Sequence, residues 1–271
     1  VSLLVPLLAV WVVWALVLFV AQRRMIFPGR TAEPLSAGEV LSGARLHRIE
    51  LPGAEVEAWW LPPVPPSGRP TGPAPAVLFT HGNMELVDEW VGSFEPLQRA
   101  GAGVLLLEYP GYGRSTGIAT ESSVTAAAEA AYDLLRSLTD EVDPHRIVAF
   151  GRSVGGGPAC ALARQRPLAA LVLSASFTGV SAYARRYLLP SLLVRHSFDN
   201  EGAVRSFRGP VLVQHGTRDR TIPFAHGERL AAAAADGRLI RYECGHNNCP
   251  WGPMLEDVIA FLRERGILRT V

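Results

Sequence analysis

The run Phe150-Gly151-Arg152-Ser153-Val154-Gly155-Gly156-Gly157 constrains the fold of this chain more than any other stretch. An apolar segment leads into it and an Ala-rich segment leads out. A serine between two glycines at such a junction reads as a nucleophile elbow, a strand handed to a helix through a turn too tight for flanking Cβ atoms. The turn lifts the Ser153 hydroxyl clear of the sheet and aims the first helical N–H groups at the same spot. A Gly-x-Ser-x-Gly string is weak alone, so its context decides its meaning.

That context is a regular alternation of short β-rich runs with amphipathic or Ala-rich segments from Leu46 onward. Such alternation predicts an α/β fold with a mostly parallel central sheet flanked by helices. Strands are expected at Leu46 to Leu51, Val56 to Leu61, Ala76 to Thr80, Gly103 to Leu107, Arg146 to Phe150, Ala169 to Leu173, Val211 to Gln214 and Leu239 to Tyr242. The first two form an antiparallel pair joined at Pro52-Gly53. Helices are expected at Leu86 to Ala100, Ser122 to Leu138, Gly156 to Arg164, Phe224 to Ala235 and Met254 to Arg265. Pro62 to Pro75 holds seven prolines and reads as an exposed loop. Phe177 to Arg208 is too short for a lid domain and predicts a minimal helical cap. Its Tyr183, Arg186 and Tyr187 either touch substrate or sit on a helix packed against the sheet.

Residues Val1 to Ala21 carry no charge, and Gln22-Arg23-Arg24 closes them. At about 1.5 Å per residue a helix of this length matches the roughly 30 Å hydrocarbon core of a bilayer. A cleavable signal normally has a shorter apolar region preceded by basic residues. The expected organisation is therefore a transmembrane anchor over 1–22, a linker over 23–45 and a catalytic domain over 46–271. Arg23, Arg24 and Arg30 follow the apolar run, which places the domain on the cytoplasmic side by the positive-inside bias.

All 26 basic side chains are Arg, a usage that points to a GC-biased bacterial genome. The net charge of +1 provides no field to gather nucleic acid. Cys160 falls in a helical segment, where packing is its simplest role. Cys244 and Cys249 bracket His246, and their spacing leaves open whether they pair in a small disulfide. No second cluster stands at zinc-ligand spacing, so neither metal nor organic cofactor is expected.

A serine hydroxyl needs a base within hydrogen-bond reach, and the base needs an acid to hold its tautomer. His246, on a glycine-flanked loop between the last strand and the last helix, is the candidate base. The candidate acid is Asp219 in Gly216-Thr217-Arg218-Asp219, at the carboxyl edge of the sheet where open α/β folds bind ligands. Asp257 is the rival, but it lies in a helical segment. Donors for a developing oxyanion are expected from the backbone N–H of Val154 and from Asn83 or Met84 in the turn after His81-Gly82.

Phe79-Thr80-His81-Gly82-Asn83, Glu108-Tyr109-Pro110-Gly111-Tyr112-Gly113-Arg114-Ser115, the elbow, Gly216-Thr217-Arg218-Asp219 and Gly245-His246-Asn247 together resemble the α/β-hydrolase superfamily. The uncharged anchor and Arg24-Met25-Ile26-Phe27-Pro28 look like its membrane-anchored alpha/beta-hydrolase-domain branch. Some members of that branch cleave lysophospholipids, monoacylglycerols or protein-bound acyl thioesters. The resemblance implies Ser153, Asp219 and His246 as a catalytic triad and Val154 as one oxyanion donor, acting on a small-molecule or lipid acyl ester. Alternatives are a prolyl-oligopeptidase-like peptidase and a non-catalytic membrane-tethered scaffold.

Overall fold

The computed structural model describes residues 4–29, 31, 44–64 and 72–269, without the side chains of residues 185 and 186. Strands β1 (Arg45–Leu51), β2 (Ala54–Leu61), β3 (Ala74–Thr80), β4 (Gly103–Leu107), β5 (Val142–Arg152), β6 (Ala170–Ser174), β7 (Pro210–Gly216) and β8 (Asp236–Tyr242) build one sheet. Its order is β1-β2-β4-β3-β5-β6-β7-β8. β2 runs antiparallel to both β1 and β4, and every other pairing is parallel. Every residue of β3 is buried, as expected of a central strand covered on both faces.

Alternation along the strands divides the core into two layers. Ala76 and Leu78 face α3 (Glu121–Ser137), α4 (Gly156–Gln165), α6 (Asn200–Ser206) and α7 (Ala225–Ala233). Val77 and Phe79 face α2 (Glu95–Arg99) and α8 (Trp251–Glu264). Between them the helices cover both faces of the sheet, leaving the strand ends to the loops among the described residues. Much of the Pro-rich loop expected over 62–75 lies outside the described residues, and β3 already begins at Ala74.

Three expectations are corrected. The helix expected over Leu86 to Ala100 is broken into 3-10 turns at Val87–Glu89 and Val91–Phe94 followed by α2. Gly92 weakens a continuous helix there, and Pro96 has no N–H to bond back into the preceding turn. The cap is smaller than 177–208: α5 (Val180–Arg186) and a 3-10 turn at Ser191–Leu193 form it, whereas α6 buries Ala203 and Val204 in the main helical layer. The N-terminal helix α1 spans Leu4–Ile26, and Phe27 directly after it is buried. Residues 23–27 are therefore no linker. Phe27 packs edge-on against Tyr109 and Phe198 at 6.5 and 6.0 Å, which fastens the end of α1 to the domain.

The cap does not pack on the sheet. Ala184 and Leu189 instead meet Ala15 and Leu18 of α1 in a separate apolar cluster. By length and composition α1 is a candidate membrane span, and it is too exposed to be the core helix of the domain.

Candidate active site

β5 ends at Arg152, and Ser153 sits at φ +53°, the left-handed region that side chains with a Cβ rarely enter. The surrounding structure enforces this conformation. A Cβ on Gly155 would lie 2.0 Å from the carbonyl oxygen of Thr80, and one on Gly151 would lie 2.5 Å from that of Gly155. Thr80 Oγ1 donates to Gly155 O at 2.8 Å and Ser176 Oγ donates to Ser153 O at 3.0 Å. The strain is held by groups on two neighbouring strand ends.

Asp219 and His246 come from the loops after β7 and β8. Asp219 Oδ1 accepts from the backbone N–H groups of Thr221 and Ile222, both at 2.8 Å. Its Oδ2 lies 2.7 Å from His246 Nδ1, and His246 Nε2 lies 3.0 Å from Ser153 Oγ. Burial pushes the Asp219 carboxyl up, but hydrogen bonds from His215, His246 and Ile222 outweigh it and hold the group well below the usual carboxylate range. An ionised Asp219 leaves the Nδ1 proton in place and the Nε2 lone pair toward the serine. Asp257 is elsewhere, accepting from the Tyr242 hydroxyl.

Cys244 and Cys249 are joined in a disulfide that closes the loop around His246. Disulfides persist in oxidising compartments, so this bond and the arginine bias after α1 point to opposite sides of a membrane. Cys160 is buried, and burial raises its thiol far above the reactive range.

The turn after β3 is pinned from beneath. His81 Nε2 lies 2.7 Å from Glu108 Oε1 and Nδ1 lies 2.8 Å from Gly82 O, with both side chains fully buried. Both ring nitrogens of His81 thus face oxygen atoms inside the protein. Tyr109 stacks on the ring at 4.1 Å and donates to His81 O at 2.7 Å, while Tyr112 donates to Asn83 O at 2.8 Å. Asn83 thereby stands beside Ser153, whereas the Met84 side chain is exposed at the rim of the cleft.

Arg152 ties the loops together. Its guanidinium pairs with Glu85, reaches Asn247 Oδ1 at 3.1 Å and stacks over Trp90 at 5.5 Å. Burial lowers its pKa, partly offset by the charge of Asp219. Glu85 in turn accepts from Gly82 N at 2.7 Å. The elbow, the turn after His81-Gly82 and the histidine loop thus share one charged clamp. Sequence reasoning missed Glu108, Glu85 and Arg152 in these roles; the only signal was a carboxylate directly after the apolar run of β4.

Two cavities meet at Ser153 and Asn83. One, about 620 Å³, has a mixed lining, with Glu85, Arg152, His246 and Asn247 beside Trp90 and Trp251. The other, about 250 Å³, is apolar and lined by Val154, Phe177, Tyr183 and Tyr187. Tyr183 stacks on His226 with centroids 5.4 Å apart and donates to Thr221 O at 3.2 Å. The Arg186 side chain lies outside the described residues.

His226 Nδ1 accepts from Thr178 N at 3.2 Å, so it serves the fold as a neutral ring. Burial first, then the charges of Arg229 and His215, lowers its pKa below the ordinary 6.5. Burial lowers His47 and His196 in the same direction. A depressed folded value means that stability is full above the unfolded value and is lost as pH falls through the folded one. The melting temperature is therefore expected to drop between about pH 7 and about pH 5, and His226→Gln should flatten that slope. A melting curve insensitive to pH over this range would contradict the assignment.

A family model described as alpha/beta hydrolase fold matches residues 75–196. An uncharacterized protein of Mycobacterium tuberculosis is 36% identical over 258 residues, covering 91% of this chain and 89% of that protein. Alpha/beta hydrolase domain-containing protein 17B of Homo sapiens is 31% identical over 158 residues, 57% of this chain and 53% of its own. Among solved structures, Thermogutta terrifontis esterase 2 with bound propionate superposes with a TM-score of 0.70 at 19% identity, over 88% of this chain and 100% of the esterase. Est1E from Butyrivibrio proteoclasticus gives 0.66 at 18% identity, over 81% and 98%. At these identities the two structures establish likeness of fold.

Proposed function

The chain belongs to the alpha/beta-hydrolase superfamily, and from that premise we propose that it is a membrane-anchored serine hydrolase cleaving carboxylic ester or thioester bonds. The observation that carries this reading is the continuous relay from Ser153 Oγ through His246 to Asp219, at 3.0 and 2.7 Å, on a strained elbow. His246 Nε2 takes the serine proton as Oγ attacks the acyl carbonyl, and Asp219 steadies the imidazolium that forms. The N–H groups of Val154 and Asn83 receive the oxyanion. Collapse of the tetrahedral adduct sends the proton from His246 to the leaving oxygen or sulfur and leaves an acyl-Ser153. Water activated by the same histidine then releases the acid.

The two cavities support a division of the substrate, with the acyl part in the apolar one and a polar leaving group in the larger one. The apolar α1 beside the site supports a lipid-derived acyl group. A fluorophosphonate probe is expected to label the protein at Ser153 and to leave Ser153→Ala unlabelled. Undiminished labelling of that variant would remove Ser153 as the nucleophile. Given para-nitrophenyl esters beside a chromogenic peptide, the enzyme is expected to turn over the esters; cleavage of the peptide alone would make it a peptidase.

A further inference from the structure

The apolar cavity at Ser153 is not closed by the catalytic domain alone. Leu18, Gln22, Met25 and Ile26 of α1 form one of its walls, opposite Val154, Phe177 and the cap. The cap, in turn, is bound to α1 at three positions along about half of that helix. Trp11 Nε1 donates to Leu188 O at 3.1 Å, Trp14 Nε1 to Tyr187 O at 3.0 Å and Gln22 Nε2 to Leu193 O at 3.1 Å. Gln22 Oε1 accepts from Arg195 N at 2.8 Å. From Trp11 to Gln22 is a rise of about 16 Å at 1.5 Å per residue, about half of a 30 Å hydrocarbon core.

These bonds have a specific meaning if α1 crosses a bilayer. Irregular backbone is tolerated at membrane depth only where its polar groups find partners inside the protein. The carbonyls of Tyr187, Leu188 and Leu193 belong to such irregular backbone, and side chains of α1 satisfy all three. The outer surface of the cap matches lipid: Leu188 is 69% and Leu192 is 84% exposed. Arg23 and Arg24 follow at the end of α1, where a headgroup layer would lie.

We propose that α1 is part of the substrate site: with the cap immersed beside it in one leaflet, it forms the acyl-binding wall, and the acyl chain of a membrane-resident ester or thioester enters laterally from the hydrocarbon between α1 and the cap. The polar head of the same molecule remains toward the larger cleft at Glu85, Arg152 and Asn247. This deepens the hydrolase reading and rests on Ser153 being the nucleophile.

The test uses the full chain reconstituted in phosphatidylcholine–phosphatidylglycerol vesicles and para-nitrophenyl esters from acetate to decanoate. In the wild type, kcat/KM is expected to rise about threefold to fourfold per methylene until the cavity is filled. Met25 is 53% exposed at the cavity mouth, so Met25→Trp obstructs entry at a position where the helix tolerates a larger side chain. It is expected to lower the decanoate-to-acetate ratio of kcat/KM about tenfold. A lesion that acted only on folding would reduce both esters in proportion and leave the ratio unchanged, which would overturn the proposal while the hydrolase reading stood. Absence of any Ser153-dependent acetate turnover in the wild type would overturn both.

Immersion of the cap is read separately. Leu192→Cys carrying a bimane dye is expected to be quenched by lipids spin-labelled along the acyl chain. Quenching by headgroup-labelled lipid alone, or by neither, would place the cap outside the hydrocarbon and overturn lateral entry.

Discussion

His246→Ala is expected to fold normally and to lose ester turnover by a factor on the order of 10⁶. His246 lies on a loop at the rim; its removal frees Ser153 Oγ and one side of Asp219 Oδ2, which still faces His215 Nε2 at 3.5 Å, and water can fill the vacated space. The catalytic loss is far larger because Ser153 then has no acceptor for its proton, and triad members act as a unit rather than additively. A residual rate above the uncatalysed one should persist, since the proposed oxyanion donors, the N–H groups of Val154 and Asn83, are untouched. Steady-state kinetics on para-nitrophenyl butyrate, with circular dichroism to confirm the fold, make the measurement. Turnover near the wild-type level would transfer the role of base to another histidine.

Glu108→Ala should be the most damaging single change to stability. It strands His81, fully buried, and removes the acceptor of Val87 N at 3.2 Å and of Tyr109 N at 3.1 Å. Breaking a buried pair from one side typically costs about 3–5 kcal/mol, because the remaining group is left uncompensated. Against a total domain stability of roughly 5–15 kcal/mol this is a large fraction. Urea unfolding should show the midpoint falling sharply, and Glu108→Gln, which keeps an oxygen in the same place, should lose less. Equal midpoints for wild type and Glu108→Ala would mean that the pair holds nothing together. Any folded fraction should also be a poor enzyme, since the turn bearing Asn83 rests on His81.

The elements read from sequence were those whose signal is local. The strands β3, β4, β6 and β7 are short apolar runs bounded by Gly, Pro or charge, β1, β2 and β8 mix apolar with charged residues, and all eight expected runs coincide with strands. Ser153, Asp219 and His246 could be singled out because each directly follows such a run, and chain order alone puts successive strand ends on one edge of a parallel sheet. The parts that escaped are contacts across long sequence separations. Nothing near Glu108 announces that it will meet His81, 27 residues earlier, and nothing near Gln22 announces Leu193, 171 residues later. The apolar pattern of α1 predicts a membrane helix equally well with or without a cap against it. Position 152, as the variable residue of the elbow, carried no expectation at all, although its guanidinium joins three loops.

An α1 wall within a bilayer, as proposed, would change what concentration means for this molecule. For a freely diffusing esterase, occupancy depends on moles of substrate per litre. A chain whose acyl cavity opens beside its own anchor samples instead the mole fraction of ester within a two-dimensional film, so diluting the suspension leaves the rate per enzyme unchanged, whereas diluting the substrate with inert lipid lowers it.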